Sequence, residues 1–150
     1  MAISTARDGL RKGFIWLSAL ILLQIIYGGL VAGHDAARLF NTWPSMDGEM
    51  IPGGLTRLKP FWRNLLDNPS MVQFVHRYLA IGVLLGVVLF WWKTRESLSL
   101  AIRMGANALF VAVLLQFLLG VATLLASSPA QIHVQLGVIH QICAFLLVGA

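Results

Sequence analysis

Two histidines carry the chemistry this sequence is equipped to do. His76 and His140 both fall inside apolar runs, where an ionisable side chain is costly and marks a functional site by default. Their contexts match: Val75-His76-Arg77 with Ala80, and Ile139-His140-Gln141 with Ala144. Neutral imidazole is a good axial ligand for haem iron, and helical proteins hold cofactors between side chains of facing helices. The pair therefore predicts one haem held between His76 and His140. The alternative for either histidine alone is a hydrogen bond to a neighbouring helix. A zinc site fits less well, because one cysteine with two histidines is a poor ligand set and the apolar runs contain no Asp or Glu.

Other polar residues near the pair have two readings each. Arg77 follows His76 by about 100° of helical rotation, so it is placed to neutralise a haem propionate, or else to snorkel to lipid headgroups. His133 precedes His140 by seven residues on the same helical face, but near the boundary, where a solvated histidine is cheap. His34 is expected at the interface. Gln24, Gln73 and Gln116 read as interhelical hydrogen-bonding groups, with Gln73 on the face of His76. Gly29/Gly33 and Gly82/Gly86 are small pairs four residues apart, which favour close helix contact. The single cysteine, Cys143, excludes both an internal disulfide and a cysteine metal cluster.

The elements that must position the histidines are membrane spans. The chain has 150 residues, 58% of them hydrophobic and 11% charged, with a mean hydropathy of +0.79, well outside the range of a soluble domain. Four runs approach the length of about 20 residues needed to cross a bilayer: Gly13–Gly33, Met71–Trp92, Gly105–Ala126 and Gln131–Ala150. They predict an all-α, polytopic membrane four-helix bundle forming a single domain over residues 1–150. The first run is longer than the apolar core of a signal peptide and is expected to be retained.

Arg7, Arg11 and Lys12 before the first run, and Lys93, Arg95 and Arg103 between the second and third, place both termini in the cytoplasm by the positive-inside rule. The net charge of +5 is thus explained by topology, and no nucleic-acid partner is expected. Ser127-Ser128-Pro129-Ala130 forms a short uncharged outer connection. The long outer loop, His34–Ser70, balances its acids against its bases and is rich in Pro, Gly, Asn and Trp, so it is expected to be structured. Pro60–Leu66 reads as a short helix with aromatics at headgroup level, and Trp91 and Trp92 as anchors at the opposite face.

The chain also repeats itself. Gln24-Ile-Ile-Tyr-Gly28 in the first run matches Gln116-Phe-Leu-Leu-Gly120 in the third, as the His76 segment of the second matches the His140 segment of the fourth. Two helical hairpins with the same direction are expected, related by an axis along the membrane normal. A rise of 1.5 Å per residue puts His76 roughly 8 Å and His140 roughly 13 Å below the outer boundary, a similar depth.

Gly28-Gly29-Leu-Val-Ala-Gly33, Asn41-Thr-Trp-Pro44 with Met46-Asp47-Gly48, Asn68 through Val72-Gln73-Phe74 to His76-Arg77, and His140-Gln141 together resemble the haem A synthase family. The likeness covers nearly the whole chain and is strongest to the carboxy-terminal half of that family's two four-helix halves. The resemblance implies that His76 and His140 ligate the enzyme's own haem B. It also implies an activity, oxidation of the haem O methyl group to the formyl group of haem A for terminal oxidases. Haem O would be held by an amino-terminal half whose intramembrane glutamate and histidine pair are absent here, so the isolated chain is expected to make no haem A. Implied partners are the lipid bilayer, a second copy of the chain or terminal-oxidase assembly proteins, and the implied location is a bacterial inner membrane. The alternative function is a b-type cytochrome membrane subunit, which uses the same ligands for electron transfer alone.

Overall fold

The computed structural model of the protein describes residues 2–97, 99–128 and 130–149, with side chains described from Asp8 to Leu147 except at Leu98 and Pro129. Pro129, Ala150 and the side chain of Arg7, which enter the sequence expectations, lie outside these. The described residues are helical, with no named strand: α1 (Ala2–Gly33), a 3-10 turn (Ala36–Arg38), α2 (Arg63–Asp67), α3 (Pro69–Thr94), α4 (Leu100–Ala126) and α5 (Val134–Gly149). Three helices are long and apolar enough to cross a membrane: Asp8–Gly33 within α1, then α3 and α4. The fourth run is a shorter apolar helix. It starts at Val134 rather than Gln131, because Ser128 and Gln131 close a turn on each other's backbone and Ser127 Oγ accepts the His133 N–H at 3.2 Å.

Local chemistry sets the other ends. Asp35 takes a left-handed conformation (φ 50°) after Gly33 and breaks α1. Asn68 caps α3, its Oδ1 accepting the Ser70 N–H at 3.2 Å, with Pro69 in the first turn, where a missing N–H costs nothing. Ser99 caps α4.

α1 packs on α3, α3 on α4, α4 on α5, and α5 back on α1. The four helices thus close a ring in which α3 and α5 stand diagonally, as do α1 and α4. The buried apolar centre is Leu17, Val83, Val87 and Val113, flanked by Leu20, Ile21, Phe90 and Leu109 among others. Gly86 makes this approach feasible, since a Cβ there would lie 2.8 Å from Leu17 Cδ2. Gly29, Gly33 and Gly82 meet nothing within 4 Å, so close helix contact falls at Gly86 and Gly28 instead of at the expected Gly29/Gly33 pair. Many large apolar side chains, Trp16 (71% exposed) among them, point outward, as expected where lipid is the solvent.

Candidate functional site: two histidines in duplicated notches

Gln24 and Gly28 lie one turn apart on α1, so both face the same neighbour, α3. There the amide Nε2 of Gln24 lies 3.1 Å from His76 Nδ1 and 3.3 Å from its Nε2, and a Cβ built on Gly28 would sit 3.2 Å from His76 Cε1. The second hairpin repeats this. Gln116 Nε2 lies 3.1 Å from His140 Nδ1, and a Cβ on Gly120 would sit 2.9 Å from His140 Cε1. Each imidazole therefore occupies a notch made by a glutamine and a glycine four residues apart on the preceding long helix. A Cβ would collide with the ring at Gly120 and crowd it at Gly28.

The notches differ in one bond. Gln116 Nε2 also donates to the backbone carbonyl of His140 at 2.7 Å, whereas Gln24 has no hydrogen-bond partner other than His76 among the described residues. In both glutamines Oε1 is buried without a partner.

Beyond the first notch the long loop between α1 and α3 is tied to α3 through backbone carbonyls. Arg77, 5% exposed, donates from Nη1 to Thr42 O (2.7 Å) and Ser45 O (3.1 Å) and from Nη2 to Phe40 O (2.6 Å), and its guanidinium lies 5.9 Å from the Trp43 ring centroid. It does not snorkel, and Nε is its one donor without a partner. Gln73, expected to hydrogen-bond between helices, donates to the loop carbonyl of Phe40 at 2.9 Å. Asn64 and Asn68, fully buried, pin the 54–61 stretch: Asn64 bonds both backbone groups of Leu58 and the carbonyl of Phe61, and Asn68 Nδ2 donates to Gly54 O, Leu55 O and Asn64 Oδ1. His34 closes the loop's base by donating from Nε2 to Leu66 O at 2.7 Å. Trp43 reaches across to α4, edge-on to Phe117 at 5.6 Å, so one loop residue touches both hairpins.

None of these loop anchors was assigned in the sequence, although Asn-Pro at 68–69 and a second Asn one turn earlier are a turn signal. His133 is exposed, as is Cys143, and neither joins the notches. At the end of the bundle where α3 leads into α4, Arg95 lies over Trp92 at 3.9 Å, and Trp91 Nε1 donates to Asn107 Oδ1 at 2.7 Å.

Residues 1–150 match the family model COX15-CtaA, cytochrome oxidase assembly protein. The chain belongs to this family. Among curated relatives it is 40% identical over 134 residues to a heme A synthase of Bartonella henselae, covering 88% of this chain and 36% of that protein. It is 43% identical over 137 residues to the one from Brucella ovis (89% and 37%) and 40% identical over 136 residues to the one from Ruegeria pomeroyi (91% and 34%). The chain thus spans about a third of the length of these curated relatives. No solved structure matches it.

Among the described residues no three His, Cys, Asp or Glu side chains gather into a metal cluster. Axial ligation of a porphyrin iron asks for less, two imidazoles on opposite sides of one plane. His76 and His140 meet the first requirement on the diagonal helices α3 and α5. The glycine at each notch lets the ring pack directly against the backbone of the preceding helix. Two neutral imidazoles are the donor set that a bis-histidine haem would use.

Proposed function

We propose that this chain is the haem-holding part of a haem A synthase, with His76 and His140 as the axial ligands of a haem B. The observation that supports the proposal is the duplicated Gln–Gly notch, which holds one imidazole in each hairpin in the same setting. A six-coordinate haem there supplies one-electron transfer. His76 on α3 and His140 on α5 would hold it, each ring packed against a glycine, Gly28 or Gly120, of its own hairpin. Arg77 supplies positive charge and the unpartnered Nε–H for a propionate, and its bonds to residues 40, 42 and 45 hold the loop over the outer end. In the intact enzyme this part corresponds to the carboxy-terminal half. The substrate, haem O, is bound by the other half, and its methyl group becomes the formyl group of haem A for terminal oxidases.

His76→Ala and His140→Ala are each expected to abolish the low-spin six-coordinate absorption spectrum of the purified protein, and His34→Ala to leave it intact. An unchanged spectrum and full haem content in either of the first two would refute the ligand pair.

A second reading, a b-type cytochrome subunit, is favoured by the absence of any Asp or Glu from α3, α4 and α5. Chromatography of extracted haems after supply of haem O separates the two: haem A forms with the partner half under the first reading and never under the second. In both, the protein sits in a bacterial inner membrane with cytoplasmic termini. Ile51→Cys in a Cys143→Ser background should then react with an impermeant reagent from outside; labelling only after the inner face is opened would reverse the topology.

A further inference from the structure

The interior of the bundle has two levels, and one loop residue reaches the second. The buried cluster holds Leu17, Val83 and Val113, with Leu147 packed against it. Gln24 follows Leu17 by seven residues, His76 precedes Val83 by seven, and His140 precedes Leu147 by seven. Seven residues are two turns of helix, so each of the three keeps the face of the cluster residue on its own helix. All stand about 10 Å nearer the end of the bundle that carries the long loop. Phe117, four residues beyond Val113, stands about 6 Å in the same direction.

Trp43 meets this layer from the loop. Its ring centroid lies 5.6 Å from that of Phe117, edge-on, and 5.9 Å from the Arg77 guanidinium. Arg77 is next to His76, and side chains on a helix lean toward its first residue. The guanidinium on α3 therefore leans toward the loop, and the Phe117 ring on α4 toward the cluster. An indole in contact with both stands between those levels, at the height of the histidines. Its backbone is fixed there by Arg77, which bonds the carbonyls of Phe40, Thr42 and Ser45.

We propose that Trp43 is a haem-contact residue, its indole packing against the porphyrin held by His76 and His140 and keeping water from it. The inference rests on the haem ligation argued above. An indole suits a flat conjugated surface, since aromatic contacts contribute beyond the area they bury. Because the apolar shell of a metal site sets its dielectric, excluding water disfavours the ferric state, which carries the additional positive charge. Ligation then belongs to the helices, and retention of the cofactor to the loop.

The test uses the full chain with its haem, in four forms: unsubstituted, Trp43→Ala, Trp43→Phe and Asn68→Ala. The readouts are the rate at which haem passes to a haem-free globin and the midpoint potential from an optical redox titration. Trp43→Ala is expected to speed release about 10-fold, the size of one lost aromatic contact, and to lower the potential, while the spectrum stays low-spin because both notches are intact. Trp43→Phe is expected to restore most of both. Asn68→Ala loosens the 54–61 stretch of the same loop without touching Trp43, and is expected to leave the potential in place. The inference is overturned if Trp43→Ala leaves either the release rate or the potential unmoved, or if Asn68→Ala lowers the potential equally, which would reduce Trp43 to one more loop anchor. Should Trp43→Ala fail to accumulate, Trp43→Leu decides in its place, an unmoved release rate or potential again counting against the proposal. Absence of a low-spin six-coordinate signal in the unsubstituted chain would instead remove the ligand pair itself, a result distinguishable from every other.

Discussion

The hairpin of α1 and α3 and the hairpin of α4 and α5 present their histidines alike inside unlike frames. In the first, the glutamine, the glycine and the histidine are separated by a loop with buried polar anchors at Asn64, Asn68, Gln73 and Arg77. In the second, a short turn held by Ser127 and Ser128 suffices. Yet the amide nitrogen stands 3.1 Å from Nδ1 in both. The notch is therefore a property of two packed helices and of the four-residue spacing along one of them. The connection decides what covers the notch, not what it is. The long loop adds a cover that touches both hairpins through Trp43, whereas the short turn only joins its two helices.

If loop and notch are separable in this way, the largest effects of disturbing the loop should stay in the loop. Arg77→Ala removes three charge-assisted bonds, taking the side-chain donor from Thr42 O and Ser45 O and leaving Phe40 O with Gln73 alone, at a cost of about 3 kcal/mol. Limited proteolysis should then cut within residues 38–58, while the helices remain protected. Loss of helix protection in α5 would show that the loop holds the whole bundle. Asn68→Ala should cost somewhat less, about 2 kcal/mol, since Asn68 Nδ2 serves two carbonyls and Asn64 while its Oδ1 caps α3. Thermal unfolding followed by loop-specific proteolysis measures it, and Asn68→Asp, which keeps the cap but not the donor, should recover only part of the loss.

The same separation explains what could be read in advance. The membrane helices, the ordered outer loop and the Gln-to-Gly spacing are written in hydropathy, composition and periodicity, and so was the pairing of segments that puts His76 and His140 in equivalent places. The partners of Arg77, Gln73, Asn64 and Asn68 could not be read, because all four bond chiefly to backbone carbonyls of a loop. Every residue has a carbonyl, so nothing in the side-chain sequence marks which will be met. Both expectations for Arg77 pointed it away from the protein's own backbone for that reason. The start of α5 was missed by three residues because Gln131, Ile132 and His133 suit a helix as well as a turn, and the hydroxyl of Ser127 decides between them. That bond gives a smaller test: Ser127→Ala should cost about 1 kcal/mol in the second hairpin alone, the usual loss for a helix-end hydroxyl, read as a lower melting temperature with the loop's protease resistance unchanged.

The smallest expected effect compares the two notches directly. An alanine on an exposed helix is normally favoured over glycine by about 1 kcal/mol, because it restricts the unfolded chain and shields the backbone. At Gly28 the added methyl would stand 3.2 Å from His76 Cε1, close enough that the ring must yield by a few tenths of an ångström, which roughly cancels that gain. At Gly120 the methyl would stand 2.9 Å from His140 Cε1 and 3.2 Å from Nε2, a distance carbon atoms do not hold, so the ring must turn. Turning it works against the Gln116 amide, which is tied to the same residue's backbone and cannot follow. Gly28→Ala should therefore be near neutral in melting temperature, and Gly120→Ala should destabilise by about 1 kcal/mol. Gly120→Ala should also shift the low-spin g-values, since His140 would meet iron at a changed ring angle. Equal effects at the two glycines would mean that the His140 ring is as free to yield as that of His76, and would leave no ground for treating Gln116 as the fixed member of the pair.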